Sequence, residues 1–319
     1  ILTDEISLSE AEGHVTRGSD GGILFEGRAH ELDLRAYFKR KDDGPDIIED
    51  KESKIPPTTL AGNIERVLVD DHVQLSNLRG NARYDGDKID FAELEIFADN
   101  SNRIEFRIYE HDKNRVLSIT SENAGAVLRA FDLTNDVVGG TLHLQGTFLD
   151  GEQLNPLKGD LIISEFHVVN APPLAKLLTI ATLTGALELL GGQGLPFDRM
   201  HAPFRYQNQK LSLNKARATS LSLGLTIDGE IDLDNDRVNL NGTIIPAYVL
   251  NSIVGHLPVI GDILTGGDGE GVFAAAYRAQ GPLKDMTITV NPLTALAPGI
   301  LRDLFKLFEP LPASTDETN

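Results

Sequence analysis

The stretch SLSLGLTIDG, residues 220–229, alternates apolar and polar side chains along its length. Alternation with a period of two is typical of a β-strand that is buried on one face and exposed to solvent on the other. It recurs in RIEFRIYE, residues 103–110, and in TLHLQGTF, residues 141–148. The apolar face of the first stretch would carry Leu221, Leu223, Leu225 and Ile227. The pattern therefore predicts a sheet with one apolar face.

Short turn signals separate many of these strands. They include Asp85-Gly86, Asn208 and the run Asp234–Asp236. Residues of these types favour the tight turns that join neighbouring antiparallel strands. We therefore expect a mostly β chain whose strands form an antiparallel meander.

Helices are few, and they are predicted near the C-terminus. One covers residues 173–190, which begin at a Pro-Pro pair and end at Gly191-Gly192. The other covers residues 299–309, whose apolar residues recur at helical spacing before Pro310. Both are short and amphipathic.

The chain divides into three predicted segments. Residues 1–155 form a β-sheet segment that contains an acidic, proline-bounded loop near residues 40–57. Residues 156–310 form a second β-region that includes the predicted helices. Residues 311–319 are polar and are predicted to be disordered.

The apolar face of such a sheet must be covered by another layer or by a ligand. The two predicted helices are too short to cover strands drawn from most of the chain. Two solutions follow: a sandwich or barrel that closes on itself, or a long curved sheet whose apolar groove holds an apolar ligand. The groove could also close at one end.

Composition excludes several partners. The 48 acidic and 29 basic residues give a formal net charge of −19, which repels nucleic acid and anionic headgroups at long range. There is no Cys, so disulfides and thiolate chemistry are excluded. We expect no nucleic-acid partner and no contact through a basic patch.

No stretch is long enough to cross a membrane. The longest strongly apolar run, Leu177–Leu190, has 14 residues and contains Glu188, whereas a spanning helix needs about 20 residues. The chain begins at Ile1 without a leader. We expect it to be a piece of a longer protein whose membrane anchor lies elsewhere.

Catalytic and metal-binding patterns are missing from the sequence. The eight histidines show no metal-site spacing, and there is no G-x-S-x-G motif. Asp232, Asp234 and Asp236 imitate a calcium loop, but Arg237 stands where that loop requires Gly, so a hairpin turn is the better interpretation. We expect no enzyme activity, no cofactor and no metal.

Three motifs in the C-terminal third carry a family resemblance. They are LPVIG at Leu257–Gly261, LTGG at Leu264–Gly267 and NPLTALAPG at Asn291–Gly299. With the upstream stretch at residues 171–206, they resemble the C-terminal region of the AsmA-like family, in its YhdP-type branch. Leu257 departs mildly from the family's Ile, and the likeness extends over about residues 80–308.

The resemblance implies a Gram-negative envelope protein, anchored in the inner membrane and reaching across the periplasm as a long curved β-sheet. Its groove would carry phospholipid acyl chains towards the outer membrane, without catalysis. The partners implied are phospholipid and envelope proteins of either membrane, with membrane contact made by the parent protein. The glycines of residues 261–271 would form a tight turn.

The groove hypothesis nominates two sets of residues. The lining set is Leu142, Leu144, Phe148, Leu221, Leu223, Leu225, Ile227, Val238 and Leu240. The second set belongs to the predicted helices, which would either plug the end of the groove or touch a membrane. Its members are Leu177, Leu178, Leu183, Leu187, Leu301, Leu304, Phe305 and Phe308. A plug is favoured, since Lys176 and Glu188 provide no basic belt for anionic lipid.

Two other functions compete with lipid transport. One is a structural scaffold or outer-membrane assembly factor, built on a closed sandwich or barrel. The other is a glycan-cleaving enzyme, whose sign would be a carboxylate pair in a deep polar cleft. Whether Leu144, Leu221, Leu223 and Leu225 face an open groove or a filled core separates the first two functions.

Overall fold

The computed structural model describes residues 7–18, 21–33, 35, 56–69, 74–98, 101–131, 133–152, 155–180, 184–246, 274–283 and 285–293. These residues form one long, curved and unclosed sheet with three short helices. The mostly β fold with a long curved sheet is therefore confirmed. The predicted helix at 299–309, the tail, the glycines of residues 261–271 and most of the acidic loop lie outside the described residues.

The elements follow one another along the chain in a simple order. The strands are β1 (Ser7–Ser9), β2 (Glu12–Arg17), β3 (Ile23–Asp33), β4 (Thr58–Leu68), β5 (Gln74–Tyr84), β6 (Ile89–Ala98), β7 (Asn102–His111), β8 (Asn114–Ser121), β9 (Val137–Phe148), β10 (Leu157–Val168), β11 (Leu195–Gln207), β12 (Lys210–Thr219), β13 (Leu223–Asp232), β14 (Arg237–Pro246), β15 (Ala274–Pro282) and β16 (Thr287–Leu293). The helices are α1 (Ala124–Ala130), α2 (Pro172–Ile180) and α3 (Thr184–Gly191).

The sheet is a meander over most of its length. From β4 to β16 each strand pairs antiparallel with the next one in sequence. At the N-terminal edge, β1 and β2 pair with opposite ends of β3, so the two strands share one position in the sheet. Glu10, with a φ of 48°, marks the break between them. The opposite edge is β16.

One strand pair departs from the predicted antiparallel pattern. β3 and β4 pair in parallel, with Ile23 opposite Thr58 and Asp33 opposite Leu68. Parallel neighbours require the chain to travel back along the full strand before it pairs again, so a tight turn cannot join them. The long acidic segment between residues 33 and 58 supplies that return connection.

The strand register collects the apolar side chains on one face, here called the inner face. One row runs across six strands through Leu94, Phe106, Ile119, Leu144, Leu161 and Ala202. The opposite face, the outer face, carries mainly polar side chains. The alternation predicted for residues 103–110 and 141–148 is therefore confirmed in register.

The two ends of the strands differ in their connections. At one end the hairpins are tight, and they include the turns at Asp85, Asn208 and Leu233–Asp236. At the other end the helices α1, α2 and α3 join the strands. We call these the turn side and the helix side of the sheet.

Helices α2 and α3 lie where a helix was predicted, near residues 173–190. Helix α1 was missed because it has only seven residues. It begins at Asn123, whose side-chain oxygen accepts a hydrogen bond from the Ala126 N–H at 3.0 Å.

The inner face has two apolar clusters. On the helix side, α1, α2 and α3 pack over the sheet, and the rings of Phe166 and Phe197 stack with centroids 5.2 Å apart. On the turn side, Ala92, Ile108, Leu117, Leu157 and Phe204 form a second cluster to which no helix in the described part of the chain contributes. The sheet is thus covered along one side and open along the other.

Candidate functional site

Helix α2 lies across the inner face on the helix side. Its Leu177 and Leu178 are buried, with 5% and 0% exposure, and the Lys176 ammonium donates a hydrogen bond to the carbonyl oxygen of Ile288 on β16. The helix that follows β10 therefore reaches the last strand of the sheet. With α1 and α3 it contributes to the apolar cluster of the helix side.

The predicted plug or membrane helix has its long apolar side chains directed at the sheet. Leu177 and Leu178 belong to the helix-side cluster, and Leu187 on α3 is half-buried against it. These side chains contact protein. Leu183, Leu301, Leu304, Phe305 and Phe308 lie outside the described residues.

The predicted groove-lining residues fall into an enclosed group and a partly accessible group. Leu142, Leu223, Leu225 and Val238 are buried, and the first three belong to the helix-side cluster. Leu144, Phe148, Ile227 and Leu240 are half-buried. On the helix side the inner face is therefore a filled core, and the accessible part of the predicted lining lies nearer the turn side.

Leu221 is the one residue of this set that the structure places elsewhere. It is 80% exposed and lies before β13, which begins at Leu223. The Ser220 hydroxyl oxygen accepts hydrogen bonds from the N–H groups of Ser222 and Leu223, at 3.0 and 3.1 Å. This local turn holds Leu221 at its tip, away from the strand face that the alternation predicted.

An open apolar cleft occupies the inner face over β3–β6, at the N-terminal end of the sheet. Its volume is about 150 Å³, and its walls are almost wholly apolar. The side chains that line it include Phe25, Leu60, Ile64, Leu78, Ala82 and Leu94. Leu60 remains 39% exposed. None of these residues was predicted to line the groove.

Glycines form the floor of this cleft. Gly27, Gly62 and Gly80 lie directly opposite one another on β3, β4 and β5. A Cβ atom on Gly62 would overlap the carbonyl oxygen of Gly27, and one on Gly80 would overlap that of Glu93. The φ angles of Gly62 and Gly80, 154° and 133°, also disfavour a side chain. The strand backbones therefore approach closely, and the floor carries no side chains.

A sequence signal for this floor existed. EGRA, AGNI and RGNA, at residues 26–29, 61–64 and 79–82, each place a lone glycine within a strand-like pattern. An isolated glycine in a strand often marks a close backbone approach. Three similar placements could have nominated β3, β4 and β5 as neighbours with a bare row between them.

Charged side chains line the turn side of the inner face. The Arg115 guanidinium lies 3.7 Å from the centroid of the Phe148 ring and 2.8 Å from the Asp150 carboxylate. The Lys88 ammonium lies 3.0 Å from the same carboxylate. Hydrogen bonds from Arg115, with a further contribution from Lys88, lower the pKa of Asp150 below its usual value. An apolar surface therefore ends in a charged rim.

This rim gives a prediction for stability against pH. Because the pKa of Asp150 is lowered in the folded state, its carboxylate stabilises the fold above the unfolded pKa of about 3.9, and the stabilisation is lost as the pH falls through the folded pKa. We expect Asp150→Asn to lower the free energy of unfolding by about 1 kcal/mol at pH 7. The difference should shrink below about pH 4.

Urea unfolding at several pH values measures this difference. Asp234→Asn, in the exposed β13–β14 turn, is the control and should change the free energy of unfolding little at either pH. A difference for Asp150→Asn that stays constant from pH 7 to pH 3 would contradict the role assigned to the carboxylate.

The structure also bears on the alternatives for metal and membrane sites. Asp232 accepts hydrogen bonds from the backbone and side chain of Asn235, so the Asp-rich stretch is a hairpin turn, as predicted. No group of three or more possible metal ligands is found in the part of the chain that the structure describes. None of the described helices is long and apolar enough to span a bilayer.

The geometry therefore provides a sheet with an apolar inner face, filled by helices on one side and open as a cleft at the N-terminal end. Its rim is charged. No family model, curated protein or solved structure matches this chain.

Proposed function

We propose that the chain binds phospholipid acyl chains along its inner face and takes part in their transport between the inner and outer membranes, without catalysis. The observation that carries the proposal is the open apolar cleft over β3–β6 with its glycine floor. A floor without side chains allows an extended alkyl chain to lie against the strands. Each methylene removed from water contributes about 0.8 kcal/mol.

The arrangement also suits the polar part of a lipid. The half-buried row that includes Phe106, Ile119 and Leu144 continues from the cleft across the sheet, and the charged rim at Asp150 borders the same face. An acyl chain would lie on the row while its headgroup stays in water at the rim. The resemblance to the AsmA-like family leads to the same proposal, and with it a periplasmic location in an inner-membrane-anchored parent protein.

The experiment is native mass spectrometry on the purified protein and on two matched variants. Leu60→Glu places a charge in the cleft at a residue that is 39% exposed, and Leu233→Glu places one in a distant hairpin turn at a residue that is 41% exposed. We expect phospholipid to co-purify with the parent and with Leu233→Glu. Leu60→Glu should lose at least about nine-tenths of it, because a buried charge in an apolar site is costly.

Circular dichroism establishes whether both variants are folded. Equal loss of lipid from the two folded variants, or a folded parent that carries no lipid, would contradict the proposal.

A second candidate function rests on the filled half of the sheet. The helix side has a close-packed core around Leu178, Leu223 and Ile244, each with 0% exposure, which is what a scaffold requires. A structural or outer-membrane assembly role would use this rigid body to recruit envelope proteins. A parent protein that carries no lipid but captures a defined envelope partner would favour it.

A further inference from the structure

The outer face forms a broad depression over β8–β12, on the side of the sheet opposite the proposed lipid site. Its volume is about 1350 Å³. Six of its lining residues are basic or imidazole side chains: His143, Lys158, His201, Arg205, Lys215 and Arg217. Among the described residues that line it, Asp160 is the one carboxylate. A protein with a net charge of −19 thus has a locally cationic depression.

Register places Arg199 beside Arg217, which lines this depression. Arg217 on β12 lies directly opposite His201 on β11, and Arg199 lies two residues before His201. Arg199 and Arg217 are therefore diagonal neighbours on the outer face, within reach of each other's long side chains. Like charges in such positions repel.

Several arginines of the sheet form ion pairs with carboxylates. Arg28, Arg83 and Arg115 each form an ion pair at 2.7 or 2.8 Å. Within the described ranges, no carboxylate forms an ion pair with Arg199 or Arg217. Partial burial lowers the pKa of Arg217, and the positive charge of Arg199 adds to that effect.

The carboxylate that lines the depression, Asp160, has another partner. Asp160 lies 2.6 Å from Nε2 of His201, whose side chain is 17% exposed. His201 lies opposite Arg217, which also lines the depression. An anion placed between the guanidinium groups would offset their repulsion.

We propose that Arg199 and Arg217 form a binding site for a compact, soluble anion that bears phosphate groups. Guanidinium groups match the oxygens of phosphate in pairs, and two adjacent ones suit a multiply charged group. The depression also offers hydroxyl and amide donors at Thr120, Ser212 and Asn214. A concave site in an otherwise acidic surface favours a soluble ligand over a flat anionic membrane.

This site lies on the face opposite the proposed lipid cleft, so it is independent of the proposed function. The test is isothermal titration calorimetry with inorganic pyrophosphate at low ionic strength. We expect saturable binding to the wild-type protein, and at least about tenfold weaker binding to Arg217→Gln and to Arg199→Gln. Arg28→Gln, which removes an exposed and ion-paired arginine, should bind like the wild type.

Thermal unfolding supplies a second readout. Pyrophosphate should raise the Tm of the wild type and of Arg28→Gln, and it should leave that of Arg217→Gln unchanged. Loss of a repulsive charge should leave Arg217→Gln at least as stable as the wild type without ligand. If Arg217→Gln does not fold, Arg199→Gln provides the comparison, because Arg199 is exposed.

Three outcomes would overturn the proposal. Absence of saturable pyrophosphate binding would show that the two arginines do not form an anion site. Equal weakening by Arg28→Gln would show diffuse electrostatic attraction. Binding to phosphatidylglycerol vesicles without binding to pyrophosphate would assign the patch to a membrane surface.

Discussion

Replacing Gly62 by alanine is expected to lower the free energy of unfolding by at least about 3 kcal/mol. The added Cβ would overlap the carbonyl oxygen of Gly27, which belongs to the neighbouring backbone and cannot rotate away. The φ of 154° at this position adds strain for any residue with a side chain. Relief would require β3 and β4 to separate.

The measurement is urea unfolding followed by circular dichroism. Gly151→Ala is the matched control, because a Cβ at Gly151 meets no atom within 4 Å, and it should change the free energy of unfolding by less than about 0.5 kcal/mol. Wild-type stability in Gly62→Ala would mean that β4 can move away from β3. The close approach of the two strands would then not define the floor of the cleft.

Truncating Leu178 to alanine is the second change with a large expected effect. Leu178 has 0% exposure and packs between α2 and the sheet. Removal of a fully buried leucine side chain costs about 2–5 kcal/mol, from lost burial and from the cavity left behind. We expect a loss in that range, measured by urea unfolding.

Leu189→Ala on α3 is the control for this change. Leu189 is 39% exposed, so its truncation should cost less than about 1 kcal/mol. A similar small cost for Leu178→Ala would show that α2 is loosely docked. In that case the helix could leave the inner face, and the predicted lining residues Leu223 and Leu225 would become accessible to lipid.

Alternation predicted most of the sheet because it reports directly on burial. Residues 103–110 and 141–148 form strands whose apolar side chains share the inner face. The same rule misplaced Leu221, where a hydrogen bond to the Ser220 hydroxyl oxygen turns the chain just before the strand begins. Local side-chain chemistry overrode periodicity there.

The parallel pairing of β3 with β4 could not be predicted, because it requires a connection whose path is not encoded in local propensity. The glycine floor exists because this pairing aligns Gly27 with Gly62 and Gly80 of the β4–β5 hairpin. The cleft was missed for the same reason.

The local distribution of charge also depends on which strands pair. The net charge of −19 led to the expectation that no partner would bind through a basic patch. Strand register nevertheless brings Arg199 and Arg217 together on the outer face. Composition determines the electrostatic field at long range, whereas the pairing of strands determines the charge at each point of the surface.

The meander has a consequence for how the molecule folds and for how the sheet can be lengthened. From β4 onward each strand pairs with its sequence neighbours, so most contacts in this part of the sheet are local along the chain. Such quasi-one-dimensional assemblies gain stability from the sum of nearest-neighbour interfaces and can be lengthened hairpin by hairpin. The β3–β4, β10–β11 and β14–β15 junctions are exceptions, since each closes a loop of more than 20 residues and carries the corresponding entropic cost. Folding should therefore propagate readily within each run of strands joined by short connections, a modular order that allows the sheet to change length without redesign of the rest.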